Sequence, residues 1–214
     1  MDEAGCGRAR CRGEEAVGPK AAAKAKVRPN REKPWLPPTA ERQCVSPQMS
    51  ALKAMTNSRA LRAQLVQLQG WSDAHAAFDR AVADIPVRKR GVVPKGLQYS
   101  AWQLVEHIRL AQADILEFCI GKDYQEKTWP ADYWPSSPEP PSHRAWTSSL
   151  ASYRRDRRRL ERLIMDPRRT LLAKVPAGTG QTYLRECLLV ADHTAYHVGQ
   201  LVMLRRLLGC WRAE

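Results

Sequence analysis

The chain has 214 residues, 43% of them hydrophobic and 27% charged, with a formal net charge of +13. That length suits one domain with an appendage, and the apolar share is enough to bury a core. No run approaches the roughly 18 apolar residues of a membrane span, and the N-terminus is polar and basic without the apolar centre of a secretory signal, so the protein reads as cytoplasmic.

The six cysteines (Cys6, Cys11, Cys44, Cys119, Cys187, Cys210) form no CxxC pair. A chain with no export signal has no need of disulfide staples. Cys119 and Cys187 fall inside helical patterns and read as small core residues. Residues 1–48 hold ten Lys/Arg against six Asp/Glu, and eight further arginines crowd into Arg154–Arg169. Such a cluster admits nucleic-acid binding, but a basic helix face is more often solvated surface, and that reading is preferred.

Residues 1–48 are rich in Ala, Arg, Lys and Pro, and their only large apolar side chains are Val17, Val27, Trp35, Leu36 and Val45. They bury too little to offset the entropy of ordering, which predicts a disordered basic tail, bounded at residue 50, before a domain over 55–211. Met49 and Met55 both precede the first helical pattern, which admits a true start there and a tail that is a gene-model extension. The intact mass of the natural protein decides between the two.

A first helix is predicted from Asn57, with Leu61, Leu65, Leu68, Ser72, His75 and Val82 on one face and Pro86 as its stop. Gly91, Pro94 and Gly96 mark a loop. Ser100-Ala-Trp-Gln103 is a capping box opening a second helix, whose inward face runs Leu104, His107, Ile108, Ala111, Ile115 and Phe118 up to Gly121. Residues 122–142 contain five prolines and the aromatics Trp129, Tyr133 and Trp134. A connection that long crosses between helices or carries function, and its aromatics predict that it packs down over something. A third helix spans roughly Arg144–Met165, with Trp146, Leu150, Tyr153, Leu160 and Ile164 inward. A fourth begins near Thr182 and stops at Gly209. The fold class is therefore all-α: a four-helix bundle with a long crossover loop between the second and third helices.

The chemistry lies in Asp192-His193-Thr-Ala-Tyr-His197-Val-Gly-Gln200. Residues four apart on a helix share a face, so His193 and His197 can ligate one metal ion. Their face also carries Val190, Leu201, Leu204 and Leu208, and buried imidazoles need partners. For this pair alone, core histidines bonded to backbone or carboxylates remain an alternative. His107, inward on the second helix, makes three imidazoles on two helices, the number a catalytic zinc-type site uses while leaving positions open. His75 could be a fourth ligand, a proton shuttle or a core histidine; a pocket-lining role without ligation is preferred. Gln200 shares the face of His193 and His197 and would either touch a metal-bound water or bond between helices. Glu106 and Asp192 each precede a ligand candidate, but neighbours on a helix diverge by about 100°, so each better serves another helix's histidine or an arginine. His143 reads as surface.

Trp102-Gln-Leu-Val-Glu-His107-Ile-Arg together with Leu189-Val-Ala-Asp-His193-Thr-Ala-Tyr-His197-Val-Gly-Gln200-Leu resembles the DinB-like (DinB/YfiT) superfamily, and Tyr133-Trp-Pro occurs in order between them. The resemblance spans about residues 55–211. It implies a four-helix bundle in which His107, His193 and His197 bind one divalent ion, zinc, nickel or iron, and it suggests a homodimer. Some members resemble thiol-dependent S-transferases, so the expected function is a metal-dependent hydrolase or thiol transferase acting on a small molecule, with a low-molecular-weight thiol as one candidate substrate. The alternatives are a non-catalytic metal-dependent ligand-binding or stress-response module and, third, a nucleic-acid binder using the arginine-rich helix.

Overall fold

A computed structural model of the chain describes residues 47–212. Up to residue 46 the predicted tail lies outside the described residues. Five helices follow: α1 (Pro47–Leu68), α2 (Phe78–Val82), α3 (Ala101–Ile120), α4 (His143–Met165) and α5 (Tyr183–Leu207). No strand forms among the described residues; one isolated antiparallel bridge pairs Lys174 with Thr182. The chain is all-α, as its patterning predicts.

The first helix departs from expectation at both ends. It begins at Pro47 instead of Asn57 and ends at Leu68, well short of Pro86. The chain then bends through residues 71–77 and resumes as the short α2. Gly70 lies at the break, where glycine costs a helix about 1 kcal/mol relative to alanine, and Ser72 and Asp73 favour local backbone bonds over a helical interior. The Gln69 amide also turns inward to Cys187 O, 3.1 Å away on α5, fixing the end of α1 against the bundle. Leu61, expected inward, is exposed; Leu65 is buried.

The helices α3, α4 and α5 start and stop where their punctuation predicts. Ser100 accepts from Gln103 N while Gln103 Oε1 accepts from Ser100 N, completing the capping box of α3. The Ser142 and Thr182 hydroxyls accept from Ala145 N and Arg185 N, opening α4 and α5. At the end of α5, Gly209 adopts φ +63°, and Cys210 N donates to Arg205 O at 2.9 Å, the backbone reversal that glycine permits without a Cβ clash.

Two core clusters give the helix directions. One joins Leu104, Val105 and Ile108 near the start of α3 to Trp146 and Tyr153 early in α4 and to Leu201 and Leu204 late in α5. The other joins Leu116 and Cys119 late in α3 to Leu160 and Ile164 late in α4 and to Cys187 and Val190 early in α5. Thus α3 and α4 run parallel and α5 runs antiparallel to both. Parallel neighbours require the chain to travel back along the roughly 30 Å of a 20-residue helix, which is why a long crossover separates α3 from α4.

That crossover follows α3 in reverse. Tyr124 and Tyr133 donate their hydroxyls to Asp114 (3.3 and 2.7 Å), Gln103 Nε2 donates to Pro135 O (3.1 Å), and Ser100 Oγ donates to Pro138 O (2.5 Å). The helix side chains thus hold the loop against the face that carries His107.

Candidate metal centre

His107 reaches its position because the Ser100 cap sets the register of α3 and turns Leu104, His107 and Ile108 inward, where His107 is 1% exposed. His193 and His197 project from one face of α5, the first half-buried and the second buried. One nitrogen from each of the three rings lies within 4.8 Å of the others. The Nε2 atoms of His193 and His107 are 3.0 Å apart. Two nitrogens on a tetrahedral zinc with bonds of about 2.0–2.1 Å stand about 3.3 Å apart, so this spacing suits two ligands of one ion.

The Nδ1 atoms of two of the three rings are already engaged. His107 Nδ1 donates to Tyr133 O at 3.0 Å, and His197 Nδ1 donates to Gln200 Oε1 at 2.7 Å. A proton held on Nδ1 leaves Nε2 with its lone pair free, which is the tautomer a metal ligand needs. Burial, first of all, pushes His107 and His193 down to about 4, and the neighbouring histidines push the same way. Burial also lowers His197, against the bond to Gln200. All three imidazoles are therefore neutral at pH 7. The donor set fits a borderline divalent cation and shows no preference among zinc, nickel and iron.

Trp134 covers the cluster. Its indole stacks on His107 with centroids 3.8 Å apart and planes 7° from parallel, and Tyr99 stacks on its other side at 3.9 Å. Trp129 meets the same imidazole edgewise at 6.1 Å. The expectation that the loop aromatics pack over something is met by His107 itself.

His75 is placed elsewhere. It is exposed in the bend after α1, and its Nδ1 donates to the adjacent Ala76 carbonyl. Its predicted place on the apolar face of the first helix assumed a helix continuous to Pro86, and that helix ends at Leu68. Gln200 makes no bond between helices among the described residues; its Oε1 accepts from His197 Nδ1 on its own helix. Glu106 takes the arginine alternative, with Arg109 Nε and Nη2 at 2.9 and 2.7 Å and the Ser149 hydroxyl as a further donor. Asp192 is exposed. His143 is exposed and meets Arg90 Nη1 at 3.0 Å.

Sequence reasoning did not single out the Tyr133 carbonyl or Asp114. A backbone acceptor leaves no mark in a sequence. Asp114 had a signal: an acid between Ala111 and Ile115, both read as inward.

Burial pushes the Cys119 and Cys187 thiols up to about 12, so neither is a thiolate at neutral pH. Of the eight arginines in Arg154–Arg169, five face carboxylates of the chain itself: Arg154 and Arg157 meet Asp79, Arg155 and Arg159 meet Asp156, and Arg168 meets Asp166.

The fold and centre define a class, helical bundles with a buried three-imidazole cluster on two antiparallel helices. The family profile described as DinB superfamily matches residues 71–201, and the chain belongs to that superfamily. The matched segment contains all three histidines, the crossover loop and Gln200, and begins after α1. No curated protein and no solved structure matches the chain significantly. No helix among the described residues is long and apolar enough to cross a membrane.

Proposed function

We propose that His107, His193 and His197 hold one divalent metal ion and that the protein is a metal-dependent enzyme, a hydrolase or thiol transferase, acting on a small molecule. The observation that supports this most is the division of labour among ring nitrogens. Nδ1 of His107 and Nδ1 of His197 are tied to Tyr133 O and Gln200 Oε1, while one nitrogen of each ring lies within 4.8 Å of the others.

When bound, such an ion supplies Lewis acidity and lowers the pKa of a water or thiol that ligates it. The chain's residues do the remainder. Tyr133 and Gln200 hold two tautomers, burial keeps the rings neutral, and Trp134 shields His107 from water. Three protein ligands, one fewer than a closed structural zinc site uses, leave room for substrate. A low-molecular-weight thiol is the candidate donor in the transferase reading. A homodimer belongs to the proposal on the strength of the family resemblance, and a monomer mass by light scattering would remove it.

Calorimetric titration of tag-free protein with zinc, nickel and iron(II) tests the reading. One ion per chain is expected, with binding lost in His107→Ala and His193→Ala. Chelation should then abolish turnover yet leave the helical circular dichroism intact, because neither core cluster includes any of the three histidines. Unfolding on chelation would make the site structural and contradict the enzyme reading.

A further inference from the structure

A cavity of about 300 Å³ lies beside the centre, walled by Leu97, Tyr99, Leu104 and Met203 and reaching Gln200. Its position follows from the helices. Leu104 precedes His107 by three residues on α3, and Gln200 follows His197 by three on the antiparallel α5, so the cavity sits one turn from the imidazoles on both. Its outer wall is shaped by the turn Pro94–Leu97, in which Leu97 N donates to Pro94 O at 3.0 Å and Gly96 takes φ +87°. That conformation at the third position of a type II turn favours glycine.

The walls carry no charge. The chain has 35 Lys/Arg and 22 Asp/Glu, yet none lines this cavity. A larger open trough of about 550 Å³ is lined by Arg159, Arg162, Arg168 and Arg169 beside Ile120, at the other end of α3. The contrast is chemical: a carboxylate, phosphate or ammonium entering the smaller cavity would lose water with no counter-charge in return. Two side-chain amides line it, Gln98 and Gln200, and Gln200 is the one beside the imidazoles. Gln200 Oε1 is occupied by His197, and its amide nitrogen has no partner among the described residues, leaving two N–H donors for an acceptor oxygen.

We propose that this cavity binds the uncharged, apolar part of the molecule on which the histidine centre acts, with a carbonyl-type oxygen facing the Gln200 amide. The substrate role rests on the proposed function above; the binding preference does not. Tyr99 is common to the cavity wall and to the ring stack that runs through Trp134 to His107, so a ligand here lies against the support of a candidate ligand residue.

The test uses full-length protein labelled with 13C-methyl methionine, metal-free and zinc-loaded, titrated with acetophenone and with benzoate, which is similar in size but charged. Acetophenone should move the Met203 methyl resonance in both forms, and benzoate should not. Met203 is 51% exposed, so Met203→Arg is expected to fold. It should weaken acetophenone binding at least tenfold and admit benzoate, read on the Leu97 methyl shifts of a second sample labelled with 13C-methyl leucine. If neither ligand shifts the Met203 signal, or benzoate binds the unmodified protein as well as acetophenone, the proposal is overturned. Acetophenone binding in a protein that takes up no zinc would sustain the cavity and remove the metal reading, so the two failures are distinguishable.

Discussion

The indole of Trp134 lies flat on the imidazole of His107, 3.8 Å away and 7° from parallel. A loop residue thus fixes the plane of a core histidine, while the carbonyl of its neighbour Tyr133 fixes the proton on that ring. Interactions that orient ligand imidazoles change metal affinity by about 10–100-fold. Trp134→Ala should therefore weaken zinc binding by about tenfold or more with helical circular dichroism unchanged, and Trp134→Phe should restore most of it. Equal affinity in Trp134→Ala and the unmodified protein would show that the stack is packing only.

Asp114 anchors the crossover through the hydroxyls of Tyr133 and Tyr124. Removing a buried acceptor strands both donors, at a cost of about 1–3 kcal/mol. For Asp114→Ala we expect that loss in urea unfolding, and faster hydrogen exchange across residues 122–142 than in α3. Uniform exchange across loop and helix would contradict the anchoring role.

The metal-free protein should lose stability on mild acidification. His107 and His193 lie at about 4 in the fold, mainly through burial, against about 6.5 in an unfolded chain. Between those values the unfolded chain binds protons that the folded chain does not. The contribution is therefore complete above pH 6.5 and declines as pH falls towards 4. His193→Gln removes one such group, so its urea midpoint should fall less than that of the unmodified protein between pH 7 and 4.5. Parallel pH profiles would contradict the depressed values.

Much of the centre was legible in the sequence because it depends on helical spacing. The four-residue step from His193 to His197 sets a shared face, and the Ser100 cap fixes the register that turns His107 inward. The end of α1 was not legible. Apolar spacing continues past Gly70, so periodicity alone extends a helix that glycine, Ser72 and Asp73 terminate, and the pocket-lining place of His75 went with it. The proline-rich crossover announced its length and its aromatics. Which atoms it would present to His107 depended on threading along α3, settled by Asp114, Gln103 and Ser100 acting together.

Cys119 and Cys187 offer a check on the chemistry. Both are buried, with thiols pushed up to about 12, and Cys210 is half-buried. Iodoacetamide under native conditions should label neither Cys119 nor Cys187, and mass spectrometry should find both modified only after denaturation. Rapid native labelling of either would contradict their burial in the core.

X-ray absorption spectroscopy on the zinc-loaded, tag-free protein tests the central claim most directly. One ion per chain with imidazole nitrogens at about 2.0–2.1 Å and no sulfur neighbour is the expected spectrum. A sulfur shell near about 2.3 Å, or a spectrum unchanged between the unmodified protein and His193→Ala, would contradict a centre built from His107, His193 and His197.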